Sequence, residues 1–149
     1  MKALCIASFF AVSSALAGAG TAAAEKTCYK ITAMRYQNNG SYKVKRFLVM
    51  YKNENDKKKS MKGVEDPIYP SETRTVTIDT DSGPPKGNEV WGKFQIESGE
   101  AEGCRKDGTR FYYQPDGGTV GYKSAGTTYN NNRCKITSRP SDEHLIDCP

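Results

Sequence analysis

CYKITAMRYQNNGSYKVKRFLVMY runs over residues 28–51 and alternates through most of its length. Tyr29, Ile31 and Ala33 fall on one face of an extended chain, because successive side chains in a strand point to opposite sides. Asn38-Asn39-Gly40 follows. Asn-Gly between alternating segments is the strongest short hairpin signal, so Tyr42 to Tyr51 reads as the return strand. Its second half, Phe47-Leu48-Val49-Met50-Tyr51, is apolar on both faces, as in a strand with neighbours on each side.

The same period continues downstream. Arg74 to Asp79 places Val76 and Ile78 together. Val90 to Glu97 places Val90, Phe94 and Ile96 on one face and Trp91 on the other. Arg110 to Gln114 and Thr119 to Lys123 flank Pro115-Asp116-Gly117-Gly118, which reads as a second hairpin. Arg133 to Thr137 makes a seventh strand. No stretch carries a 3.6-residue apolar period. The expected class is therefore all-β, an antiparallel β-sandwich or small barrel of about seven strands.

Ahead of this domain, Met1-Lys2 supplies a positive start, Ala3 to Leu16 is uncharged and apolar, and Ala22-Ala23-Ala24 offers small residues before Glu25. That order predicts a secretory signal peptide over residues 1–24. The apolar run of about 15 residues is shorter than the roughly 20 a membrane-crossing helix needs. Residues 25–149 then form a single domain, secreted or periplasmic.

The whole chain is 36% hydrophobic, but Leu, Ile, Val and Phe supply only 17 of residues 25–149. A core this thin in aliphatic residues raises the question of disorder. Thirteen aromatics in the same segment supply the missing burial. The composition excludes a polytopic membrane protein, a coiled coil, a collagen and a repeat solenoid.

Cys5 leaves with the signal, and Cys28, Cys104, Cys134 and Cys148 remain. An even number in an exported chain predicts two disulfides, for which three connectivities exist. The expected pairing is Cys28–Cys148, joining the termini, and Cys104–Cys134; spacing alone does not select it. No C-x-x-C pair is present, and with one histidine a metal or redox site finds little to build on.

Charge is unevenly placed. Residues 25–63 hold 11 Lys or Arg against 3 acids, whereas residues 64–149 hold 10 against 14. Lys57, Lys58, Lys59 and Lys62 form the densest part, and Lys43 and Lys45 add to it. Such a patch suits an anionic membrane, an acidic glycan or an acidic protein. Edge lysines that deter strand-to-strand pairing are the structural alternative. Nucleic acid fits poorly, because no recognised binding motif appears.

Other chemistry is sparse. His144 is the single histidine. It would serve a one-histidine ribonuclease with a carboxylate base and an arginine such as Arg110 on the phosphate. Small secreted ribonucleases resemble this chain in size and cysteine count. Asp79 and Asp81, in Asp79-Thr80-Asp81-Ser82-Gly83, resemble the opening of a calcium loop without its distal Glu. Tyr112 and Tyr113 must point to opposite faces of a strand, so Tyr112 is a candidate exposed aromatic for recognition. The leading expectation is an exported, non-catalytic binding protein that engages anionic surfaces through the basic loop. A small ribonuclease-like hydrolase and an inhibitor of a secreted enzyme are the alternatives.

Overall fold

The computed structural model describes residues 26–104 and 106–149; the expected signal peptide lies outside them. Ten strands follow in chain order: β1 (Thr27–Asn38), β2 (Val44–Lys52), β3 (Lys58–Val64), β4 (Thr73–Thr77), β5 (Glu89–Ile96), β6 (Ala101–Gly103), β7 (Thr109–Tyr113), β8 (Gly118–Ala125), β9 (Arg133–Ser138) and β10 (Leu145–Ile146). A 3-10 turn at Asp142–His144 is the one helical element among the described residues. The all-β class is as expected. The added strands are short pieces, β4, β6 and β10, that pair onto longer ones.

The main ladder runs β3-β2-β5-β7-β1-β8-β9 and does not close into a barrel. It doubles over so that β2 and β5 face β1 and β8. Phe47 on β2 stacks on Tyr36 of β1 at 4.5 Å and meets Tyr122 of β8 at 6.2 Å, although β1 and β2 share no ladder. Seven rings continue this contact through the middle: Tyr29, Phe111, Tyr122, Phe47, Tyr36, Phe94 and Tyr42. Aromatic stacking does here what aliphatic side chains do in an ordinary sandwich core.

Neither predicted hairpin forms. The Asn38-Asn39-Gly40 segment carries the chain from one layer to the other, because the Asn38 side chain is fully buried and already committed. Its amide donates to the carbonyls of Tyr42 (2.7 Å) and Ile68 (3.0 Å), and its oxygen accepts from the Gly40 N–H (3.0 Å). A two-residue turn would leave those partners behind.

The second correction is larger. Strands β7 and β8 run in the same direction, each parallel to β1 and on opposite sides of it. Ile31 is the residue where they exchange: it pairs with Tyr113 of β7 and with Gly118 of β8. The chain between them therefore steps across β1. Gly117 makes the step, since a Cβ there would strike the Ile31 backbone. The Gln114 N–H donates to the Ile31 carbonyl at 3.0 Å, and Lys30 forms an ion pair with Asp116 at the same crossing. This crossing gives the sheet its mixed orientation. It also coincides with a bulge in β1 between Ile31 and Ala33. Beyond the bulge Met34, Tyr36 and Asn38 point inward and Ala33, Arg35 and Gln37 point outward.

Both expected disulfides are present. Cys28–Cys148 spans 120 residues and ties β1 to the C-terminus. Cys104–Cys134 spans 30 residues and ties the end of β6 to β9. Disulfides form and persist in oxidising compartments, and two of them suggest an extracellular protein. No helix among the described residues is long and apolar enough to cross a membrane.

Candidate functional site

The lysines singled out in the sequence divide into two groups. Lys43 is neutralised: its ammonium lies 2.6 Å from Glu97 and 5.7 Å from the centre of the Tyr69 ring. The Glu97 carboxylate, by hydrogen bonding, holds the Lys43 ammonium above its ordinary pKa. Lys45 is exposed where β2 bulges against β5. Lys57, Lys58, Lys59 and Lys62 are exposed, and no acid pairs with them among the described residues. The last three sit on β3, the end strand of the ladder, and Lys57 lies in the turn before it. Lys58 stands directly opposite Lys52, whose own charge is taken up by Asp56 at 2.6 Å.

Tyr112 is not an exposed aromatic. It is only 7% exposed, and Tyr113 on the opposite face is 3% exposed. Strand alternation holds, but both faces of β7 are covered, so neither ring can meet a partner. Arg110, two residues before Tyr112, is bound to Glu89 at 3.1 Å. Lys106 also pairs with Glu89 and lies 4.7 Å over the Trp91 ring.

His144 packs over Gly118 and is not joined to a catalytic partner. A Cβ on Gly118 would come within 2.6 Å of the His144 ring. Among the described residues its one acidic ion-pair neighbour is Glu143, the preceding residue, at 3.6 Å. Arg110 pairs with Glu89, and no hydrogen bond or ion pair among the described residues joins either of them to His144. Asp79 and Asp81 are exposed, and the Asp79 carboxylate accepts the Asp81 N–H at 2.9 Å. That contact organises a turn. No cluster of three or more His, Cys, Asp or Glu suited to a metal occurs among the described residues.

A second cationic surface escaped the sequence reading. The layer β4-β1-β8-β9 contains no carboxylate in any of its four strands. On its outer face the register sets Thr75, Arg35, Gly121 and Ser138 in one row. Thr73, Gln37, Lys123 and Lys135 form the next, and Ala125 and Arg133 lie beyond. Arg35, Lys123, Arg133 and Lys135 have no acid partner among the described residues. A groove of about 530 Å³ follows β8 and β9 along Lys123, Lys135 and Arg133. A hollow of about 220 Å³ adjoins it between Arg35, Gly121, Thr137 and Ser138. Three of the four cations belong to residues 64–149, where the linear charge is acidic. Counting along the chain hid them, because the acids of that segment lie in other strands and loops.

No protein-family model and no curated protein matches the sequence. Solved structures similar in part of their chain include a non-hemolytic pneumolysin from Streptococcus pneumoniae strain ST306 (TM-score 0.42, 10% identity, 76% of this chain and 24% of that one). They also include the membrane-binding domain of pneumolysin (TM-score 0.41, 7% identity, 74% of this chain and 98% of that one). Listeriolysin O is a third (TM-score 0.40, 10% identity, 72% and 22%). The chain spans about a quarter of the full-length pneumolysin it matches. Superposition at this level says nothing about activity.

Proposed function

We propose that the domain is an exported, non-catalytic binding protein, secreted or periplasmic, that engages an anionic surface through its lysine edge. The observation behind this reading is the unpaired state of Lys57, Lys58, Lys59 and Lys62, set against the pairing of Lys43 and Lys52 close by. Lysines on an end strand also keep a second strand from adding to it. That role does not account for Lys57, which lies outside the strand. Clustered cations near an anionic bilayer contribute about 1 kcal/mol each, and the attraction falls off within a Debye length.

Co-sedimentation of the oxidised domain with phosphatidylglycerol and phosphatidylcholine vesicles tests the reading at low and physiological salt. Binding to the anionic vesicles alone, lost when all four lysines become Gln, is the expected result. Equal binding by the Gln variant, or none even at low salt, overturns it.

A further inference from the structure

We infer that the outer face of β1, β8 and β9 is a second binding site, one for a sulfated polysaccharide chain. The inference does not rest on the lysine edge, which lies at the other end of the ladder.

The charges come first. Lys123 and Lys135 are direct cross-strand partners, a like-charge arrangement that costs stability in a sheet. Arg35 lies one row to one side of them and Arg133 one row to the other. These three rows, two steps of two residues each along the strand, cover about 14 Å, room for a few linked sugar units. No acid interrupts this run, so a polyanion laid along it meets cations only.

The shape comes second. Gly121 lets the hydroxyls of β9 come close against β8 on the outer face. A Cβ on Gly121 would strike the Ser138 hydroxyl and come 3.2 Å from that of Thr137. The adjoining hollow is lined by Arg35, Gln37, Lys123, Thr137 and Ser138. Hydroxyl donors beside a guanidinium suit the oxygens of a sulfate ester, since an arginine fork matches such an anion bidentately.

The surroundings decide between a glycan and a bilayer. The other outward strand residues include Thr73, Thr75, Thr77, Gln37 and Ala125, and the one large aliphatic residue lining the groove, Ile136, is half-buried against the core. Nothing among them would enter acyl chains. Gly126 and Asn131 of the β8–β9 loop also line the groove. That loop carries Tyr129, 81% exposed, together with Asn130 and Asn132. An exposed phenol and amides beside a cationic groove are what a sugar ring needs for stacking and hydrogen bonding.

Fluorescence anisotropy with a labelled heparin-derived octasaccharide and its desulfated counterpart tests the site. The sulfated probe is expected to bind and the desulfated one to bind at least tenfold more weakly. Lys123→Gln with Lys135→Gln should lower affinity at least tenfold and flatten the salt dependence, while Lys123→Arg with Lys135→Arg keeps binding. Replacing Lys57, Lys58, Lys59 and Lys62 by Gln removes twice as much charge elsewhere and should change affinity less than threefold. A larger loss from that fourfold variant than from the Lys123/Lys135 pair would mean diffuse attraction or a site at β3, and overturns the inference. Equal binding of the desulfated probe overturns it too. So does a pattern in which Lys123→Gln and Lys135→Gln abolish phosphatidylglycerol vesicle binding while the octasaccharide never binds. None of these outcomes decides the vesicle experiment on the lysine edge, which is read with its own variant.

Discussion

Lys123 of β8 and Lys135 of β9 face each other across the ladder with no carboxylate in either strand. Lys58 and Lys52 make a similar pair at the other end, but there Asp56 takes up one charge. The two ends of the sheet thus treat the same problem differently. At β8–β9 no acid among the described residues offsets the repulsion.

Lys135→Glu should reverse that balance. An opposite-charge pair replaces a like-charge one on an exposed sheet surface, worth about 0.5–1 kcal/mol in favour of the fold. Urea unfolding should show a higher midpoint with an unchanged slope. The gain should shrink in high salt. A lower midpoint would mean that Lys135 makes a stabilising contact the sheet geometry does not show.

Gly117→Ala addresses the crossing of β1. The new methyl would press on the Ile31 backbone, which is held on both sides by ladders and cannot retreat. The expected loss is about 3 kcal/mol or more, at or above the usual range for overpacking. Gly103→Ala is the control: nothing lies within 4 Å of a Cβ there and its backbone is unstrained, so the change should stay within about 0.5 kcal/mol. Equal stability of the two variants by chemical denaturation would refute the crossing.

These glycines show where the sequence could be read and where it could not. Alternation at Val90, Phe94 and Ile96 predicts inward faces, and all three are buried. The apolar run at Phe47 to Tyr51 predicts a strand with two neighbours, and β2 lies between β3 and β5. Asn38-Asn39-Gly40 and Pro115-Asp116-Gly117-Gly118 mislead for a common reason. Local turn chemistry reports that the chain bends, not which strand it meets afterwards. Asn38 is used for its buried amide, which reaches Ile68 as well as its near neighbours, and Gly117 for its missing side chain against Ile31; Ile68 and Ile31 are distant from them in sequence. The bulge after Ile31 likewise moves Ala33 to the outer face, away from the one it was expected to share with Tyr29. The cationic face was illegible for the same reason. Arg35 and Lys135 are 100 positions apart in the chain and are brought to one surface only by the β1–β8–β9 pairing.

Removal of Cys104–Cys134 should cost about 3–4 kcal/mol by loop-closure entropy for a span of 30 residues. Cys134 lies between Arg133 and Lys135, so the same variant, Cys104→Ala with Cys134→Ala, should also loosen the edge that carries them. Faster amide exchange through residues 133–136 than through β2 would register that loosening. Mild reductant acting on the unmodified protein should open Cys28–Cys148 first, because Cys148 is exposed while Cys104 and Cys134 are both buried. Mass spectrometry of the alkylated species decides the order, and initial labelling at Cys104 and Cys134 would contradict it.

The buried phenols set the alkaline limit of the fold. Burial raises the pKa of Tyr36, Tyr42 and Tyr122 above the ordinary phenol value; hydrogen bonding to Ser124 only partly offsets this for the first two, as does a backbone contact with Gly92 for Tyr122. All three stay protonated in the folded chain at pH values where they ionise in the unfolded one. Their contribution to stability is therefore complete below about pH 10 and is lost as pH rises beyond it, since the unfolded state then binds fewer protons. Phenolate absorbance followed against far-ultraviolet circular dichroism should show at least three of the nine tyrosines ionising only as strand signal disappears. Tyr36→Phe removes one of these protons together with the 2.6 Å contact to Ser124, costing about 1 kcal/mol at neutral pH. It should also make the loss of stability above pH 10 less steep. All nine phenols titrating smoothly near pH 10 with the strands intact would contradict the closed aromatic core described above.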